Sequence, residues 1–414
     1  MIRRSLVLLL VLAVLLGASI AATTTVVVWD RVQQTEKLVD LFNQEMETQG
    51  KDIRATFELV PYDQQVSKFM AALAAGRAPD VYSLDLIQFP YFVHLGAFKD
   101  ITTWFEQQEW KDELPAGMLK LGIKDEKVHA LPYTTDLSVM MWNKDLFAEA
   151  GLDPESPPET WEEFIEYGKL LTKDTNNDGN IDQWASALVG TSAGQYMFWF
   201  MPFVWSNEGQ MFDDVGNVVF DSPEAVEALQ FWHDLIHKHE IAIPSSIYWA
   251  SGDRYNAFIA GRAATFFGGN FNITSIMRDA PDLDFGVAPL PRGKGDFATF
   301  GGGNLIGITE QSRNPEAALE FLAFAMSDAM IEAFAPHLLL MPRPSLYDNP
   351  YYNEIPQMEA FAEILKYART PFSFRYNEIY DPVLFYLQGA LAGRVGVEEA
   401  VWKVHEEVHE IVTR

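Results

Sequence analysis

Cysteine is absent from the 414 residues of this chain. That excludes disulfides, a thiolate nucleophile and a bacterial lipid anchor carried on a thiol. Positive charge is scarce: 30 Lys and Arg stand against 58 Asp and Glu, for a formal net charge of −28. Such an acidic chain repels nucleic acid and anionic membrane surfaces, so neither is an expected partner. After the N-terminus no apolar run reaches the roughly 20 residues a spanning helix needs. The Walker spacing, a G-x-G-x-x-G opening a helix and a nucleophile elbow are missing too. The glycines of "GGGN" (Gly301 to Asn304) stand before an apolar strand instead. There they suit a hinge, or backbone lying close to a ligand.

What is present describes a folded, exported protein. Hydrophobic residues make up 48% and Trp alone numbers 11, so the chain can build cores, and its length implies two domains. Arg3 and Arg4 precede the apolar run Leu6 to Leu16 and the small residues "GASIAA". That is the pattern of a secretory signal, placed at residues 1–21 with cleavage after Ala21. The expected product is a free, monomeric periplasmic protein.

Strand and helix signals then alternate. "TTVVVWD", "IRATFELVPY" and "PDVYSLD" are rich in β-branched and aromatic residues. Between them lie a helix with Leu38, Leu41, Phe42 and Met46 on one face, and "QQVSKFMAALAAG" ending at Gly76. "TWEEFIEYGKLLTK" opens with a capping box, Thr160 and Glu163. "RAATFFGG" and "LDFGVAPLP" read as later strands, and "GVEEAVWKVHEEVHEIVTR" as a closing helix. The alternation predicts α/β architecture, a parallel sheet covered on both faces.

Several motifs have bland readings that outweigh the chemical ones. His405-Glu406-Glu407-Val408-His409 fits the zinc-protease H-E-x-x-H, but the chain ends at Arg414, leaving no downstream third ligand. Val404, Val408 and Ile411 mark the opposite face as buried, so the histidines belong to a solvated face. His233, His237 and His239 sit at a predicted helix C-terminus, where the dipole favours them without a metal.

"LTKDTNNDGNIDQW" is more informative. Asp174, Asn176, Asp178 and Asp182, with the Asn180 carbonyl, match the first ligands of an EF-hand calcium loop, and Gly179 stands at the tight turn. Ala185 occupies the position of the closing Glu. The bland reading is an Asx-turn linker. Calcium is the expected cofactor, with a structural role, because neighbouring carboxylates repel one another without a cation.

The remaining constellation is aromatic and acidic. Trp29, Tyr62, Tyr82, Trp199, Trp205, Trp249 and Phe271 fall at strand ends or in loops, near Asp30, Asp85, Asp136, Glu208, Arg343 and Arg375. Any one ring could be core. Together they suit a sugar, whose C–H faces stack on rings while its hydroxyls seek charged partners. Carboxylates are numerous enough that a secreted glycoside hydrolase is the competing class.

In order along the chain, several segments carry a family resemblance: "AALAAGRAPDVYSLD", "HALPYTTDLSVMMWNKDLFAEAGL", "GQMFDDVGNVVFDSPEAVEALQFW", "FIAGRAATFFGGNF", "FGVAPLPRGKG", "FGGGNLIGIT" and "MPRPSLYDNP". The mature chain resembles the extracellular solute-binding proteins of the maltose-binding class, receptors of sugar-importing ABC transporters. Trp142 stands where the family usually has Tyr before Asn143-Lys144. The resemblance implies two Rossmann-like lobes joined by a hinge, a periplasmic binding protein of type II. Its lobes would be 22–133 plus 296–342 and 134–295 plus 343–414, crossed near Tyr133–Asp136, Leu290–Gly303 and Met341–Pro344.

The implied ligand residues are Trp29, Asp30, Tyr62, Tyr82, Asp85, Gly302, Gly303 and Asn304 on the first lobe, with Asp136 at the hinge. Trp199, Trp205, Glu208, Trp249, Asn270 and Arg375 follow on the second, and Arg343 at the last crossing. Trp205 and Trp249 are the expected stacking platforms. The partners are a sugar, expected to be an oligosaccharide, and ABC permease subunits, with closure around the ligand and no catalysis. A non-sugar polar solute on the same fold is the alternative; a phosphate would need more convergent bases.

Overall fold

The computed structural model describes residues 23–61, 64–213, 216–371 and 375–414. The signal-like segment 1–21 and Tyr62 lie outside them. Strand β1 (Thr24–Asp30) pairs in parallel with β2 (Ile53–Leu59) and with β3 (Val81–Asp85). The helices Thr35–Thr48 and Gln65–Ala74 connect them. The first buries Leu38, Val39, Phe42 and Met46, a stripe at helical spacing that seats it on the sheet. Two short strands, β4 (Ile123–Lys124) and β5 (Lys127–Val128), form a separate hairpin.

β6 (Leu131–Asn143) is the long element. Its residues 131–137 pair with β9 (Thr299–Ile308), while residues 138–143 pair with β7 (Thr265–Gly269) and β8 (Phe285–Ala288). The strand order is β2-β1-β3-β9-β6-β7, with β8 also on β6 and β10 (Ala368–Arg369) on β9. One strand thus serves both halves. The expectation of a parallel sheet holds for β1–β3 and for the short β10 on β9, and not for the strands that cross between the halves. β9 runs antiparallel to β3 and β6, because the chain leaves along β6 and returns from the other half through β9.

The crossing is tight enough to dictate sequence. Gly303 has φ +115°, and a Cβ there would lie 2.0 Å from the Thr134 carbonyl oxygen, where β6 shifts register between Pro132 and Thr134. A side chain cannot fit. Thr135 N donates to Leu340 O at 3.0 Å, so the segment expected as the last crossing runs beside the first.

The first half packs Phe42 and Phe321 in a cluster that runs on to Phe258, Phe266 and Phe285 of the other half, and Phe69, Phe89 and Phe92 in a separate one. In the second half, Trp161, Phe203, Trp232 and Phe267 form an aromatic core closed by Val404 and Val408. The helix Trp161–Leu171 begins with the capping box: Glu163 N donates to Thr160 Oγ1 at 3.2 Å, and the Glu163 carboxylate accepts from Thr160 N. In the last helix, Val397–Thr413, Val404 and Val408 are buried. His405 lies on its flank, with Nδ1 3.0 Å from the Asp221 carboxylate.

Candidate functional site

Arg31, the residue after β1, is the hub of a polar cluster where the halves meet. Its Nε donates to Asn304 Oδ1 at 2.6 Å, and its Nη2 reaches Gly303 O at 3.5 Å and the Asp85 carboxylate at 3.3 Å. Asn304, fully buried on β9, turns its amide nitrogen to Asp30 Oδ1 and Ser83 Oγ, each at 3.1 Å. Asp30 also accepts from Thr35 Oγ1 at 2.6 Å and Val32 N at 3.1 Å. Asp136, on β6, feels the Arg31 charge and hydrogen-bonds Asn270, whose Oδ1 accepts from Leu137 N at 2.9 Å. Strand ends bring these groups together, since side chains at the C-termini of β1 and β3 project past the sheet toward the crossing strands.

Asp85 pairs with the Arg31 guanidinium, Asp30 and Asp136 feel its charge, and burial raises the pKa of all three. Burial pushes Asp30 up to about 6, against the lowering effect of its hydrogen bonds and Arg31. Asp85 is raised by burial too, with Arg31 opposing and Asp136 adding repulsion. Asp136 is raised for the same first reason, and Arg31 and the Asn270 bond oppose it. The mutual effects put both carboxylates within reach of the same charge.

Rings flank the cluster. A Cβ at Gly302 would lie 3.3 Å from Asp136 Cβ and 3.4 Å from the half-buried Phe198. Phe198 meets the exposed Phe271 with centroids 6.0 Å apart. Trp29 packs edge-on against Tyr82 at 5.8 Å, under Lys68. Among the described residues the buried Trp29 Nε1 and Tyr376 OH have no hydrogen-bond partner. Burial raises the Tyr376 phenol most, then Tyr380, then the Asp85 charge, which relates this second-half ring to a first-half carboxylate.

The structure therefore groups Trp29, Asp30, Tyr82, Asp85, Asp136, Asn270 and Gly302–Asn304. It sets the other expected residues elsewhere. Trp199 donates from Nε1 to Gly268 O at 2.7 Å, with Arg254 over its face at 4.5 Å. Trp205 stacks on Phe300 at 5.9 Å. Glu208 is exposed on the turn beside Gly295. Trp249 packs with Ala187, Ile243 and Ala263 under Arg262. Arg343 donates to Met326 O at 2.8 Å and pairs with Glu113 at 3.5 Å. Arg375 grips Glu378 through Nε at 2.7 Å and Ile411 O at 2.6 Å.

The loop from Asp174 folds on its own oxygens. Gly179 N donates to Asp174 Oδ2 at 2.7 Å, Asp178 N to Asn176 Oδ1 at 2.8 Å, and Asn180 N to Asp178 Oδ1 at 2.8 Å. Asp182 accepts from Thr175 N and Oγ1, the bonds that lower its pKa. Among the described residues no three His, Cys, Asp or Glu are grouped to hold a metal ion.

With two α/β halves and a polar cluster between them, the sequence profile of the bacterial extracellular solute-binding proteins matches residues 31–332. The chain belongs to that family. The arabinooligosaccharide-binding protein of Halalkalibacterium halodurans is 28% identical over 357 residues, 82% of this chain and 76% of its own. The cyclic alpha-maltosyl-1,6-maltose binding protein of Arthrobacter globiformis superposes with a TM-score of 0.81 at 24% identity, over 94% of this chain and 99% of that one. Maltose-bound MalE3 of T. maritima gives 0.71 at 25%, over 94% and 100%. The fold is that of a type II periplasmic binding protein, two lobes joined by a hinge.

For this solute-binding protein, sequence reasoning missed Arg31, Phe198, Ser83 and Tyr376. Arg31 had a signal, since it directly follows the Trp29-Asp30 pair at a strand end. Phe198 and Tyr376 had none, because only the tertiary fold sets Phe198 beside Gly302 and lets the Tyr376 phenol feel the Asp85 charge.

Proposed function

We propose that this solute-binding protein is exported to the periplasm, takes up a saccharide between its lobes, and hands it unaltered to the permease subunits of an ABC transporter. An oligosaccharide is the proposed cargo and a monomer the proposed state. The lobes are taken as 22–133 plus 296–342 and 134–295 plus 343–414, closing by a hinge because only the closed form makes both sets of contacts. A structural calcium ion is proposed for the loop of Asp174, Asn176, Asp178, Asn180 and Asp182.

One observation carries the reading: Arg31, Asp85, Asp136, Asn270 and Asn304 converge beside Phe198 in a chain of this family. Ionised oxygens and amides accept and donate to hydroxyls, and a ring face receives C–H groups. Three acids to one base disfavour a phosphate ligand. Titration calorimetry with arabino-, malto- and mannooligosaccharides tests it; saturable binding to at least one is expected, and silence across the panel contradicts it. Chromatography of the best binder after long incubation should show intact sugar, whereas shortened products would restore the hydrolase reading.

A further inference from the structure

Arg254, on the helix Ser251–Ile259, is 1% exposed, and among the described residues no carboxylate pairs with it. Its Nη1 donates to Phe267 O at 3.2 Å and its Nη2 to Gln195 Oε1 at 3.3 Å, while its Nε has no partner. Burial pulls the guanidinium down to about 10, opposed by the Tyr196 phenol. It therefore stays a cation at neutral pH, held without a counter-ion. An unpaired charge in an apolar interior is costly, and Leu or Met would fill the same place without that cost.

What the guanidinium holds is the segment that carries Phe198. Its Cζ lies 4.5 Å from the Trp199 ring centroid and 5.5 Å from that of Phe266. Trp199 Nε1 donates to Gly268 O at 2.7 Å, the carbonyl next to the one that Arg254 takes. Indole and guanidinium thus bind successive carbonyls of β7. Residues Tyr196–Phe200 form a π-turn, a rare widened turn that recurs at functional sites. Within it Phe198 stands edge-on to Trp199, with centroids 5.1 Å apart and planes at 82°. Trp199 is buried with Arg254, whereas the half-buried Phe198 turns to Gly302 and Phe271. Fixing the indole fixes the direction of its neighbour.

We infer that Arg254 is a positioning residue for the cargo: through Gln195 and Trp199 it sets the Phe198 ring at the angle on which a sugar face stacks. This rests on the cargo reading above and adds what supports its ring. Lysine cannot replace Arg254, since an ammonium has neither a flat face for the indole nor a fork for two oxygens.

The test is calorimetry with the tightest-binding oligosaccharide on residues 22–414 of wild type, R254M, R254K, F198A and R254M/F198A, with urea melts of each. R254M should fold, because removal of the unpaired charge offsets the two lost hydrogen bonds. It should bind roughly 3- to 10-fold more weakly, the worth of one aromatic contact. R254K, which keeps the charge without the plane, should lose as much, and stands in for R254M if that variant does not fold. R254M/F198A should bind no more weakly than F198A, because the ring that Arg254 supports is already gone. Wild-type affinity in R254M or R254K, or a loss that multiplies in full with that of F198A, overturns the inference. Wild type that binds none of the oligosaccharides fails the cargo reading and this inference with it; binding that R254M leaves intact fails this inference alone.

Discussion

At the scale of single residues, the account rests on Arg31 and the carboxylates it balances. Asp136 and Asp85 serve a ligand only while ionised, and hydrogen bonds to a charged acceptor are worth about 1.5–3 kcal/mol each. D136N is therefore expected to weaken saccharide binding roughly 10- to 100-fold by calorimetry; an unchanged affinity would remove Asp136 from the site. Asp30 makes a separate statement about stability. Its folded pKa, about 6, is above its ordinary value of 3.8. The folded state therefore holds the extra proton between those values. Its contribution is fully present below about pH 4 and is lost as pH rises through 6, by about 3 kcal/mol. The stability difference between wild type and D30N, followed by chemical denaturation from pH 4 to 7, should fall across that window. A flat difference would refute the burial argument.

At the scale of elements, the crossing strands are the most constrained feature. G303A puts a methyl 2.0 Å from the Thr134 carbonyl at φ +115°, and should cost at least ~3 kcal/mol in a urea melt. Gly252, in the helix Ser251–Ile259, faces open space, and a Cβ there would meet nothing within 4 Å. G252A should be neutral or stabilising by up to about 1 kcal/mol, which makes it the control. The loop proposed to hold calcium belongs to this scale too. Its oxygens hold loop N–H groups, and an ion would exchange those bonds for coordination. A higher Tm in calcium than in chelator is expected, by about 2.7 kcal/mol of stabilisation at a hundredfold excess over Kd; equal Tm values would leave a self-bonded turn.

Elements were also what the sequence disclosed best. β-branched runs gave β1, β2 and β3, and Thr160 with Glu163 gave a helix start, because these signals are local. Strand direction was not local: nothing in "FGGGNLIGIT" states that β9 runs antiparallel to β3 and β6. The same reason governs the site. Asp85, Asp136 and Asn304 were visible as polar residues at strand ends, but Arg31 acquires its role from Asn304, 273 residues away. Trp249, Arg343 and Arg375 were equally visible in the sequence; the structure sets them apart from the Arg31 cluster, against Arg262, Met326 O and Ile411 O.

At the scale of the whole molecule, one sheet passes through both halves, with β6 and β9 paired and the segment at Leu340 bonded beside them; with the proposed lobe division, closure would be rotation about these strands. A hinge of that kind responds only to a ligand that favours one arrangement. Small-angle X-ray scattering of residues 22–414, with and without the tightest-binding oligosaccharide, measures that response directly. The radius of gyration should fall on saturation in the wild type and stay constant in D136N at the same sugar concentration. Saturable binding with an unchanged wild-type radius would contradict a receptor that closes on its cargo.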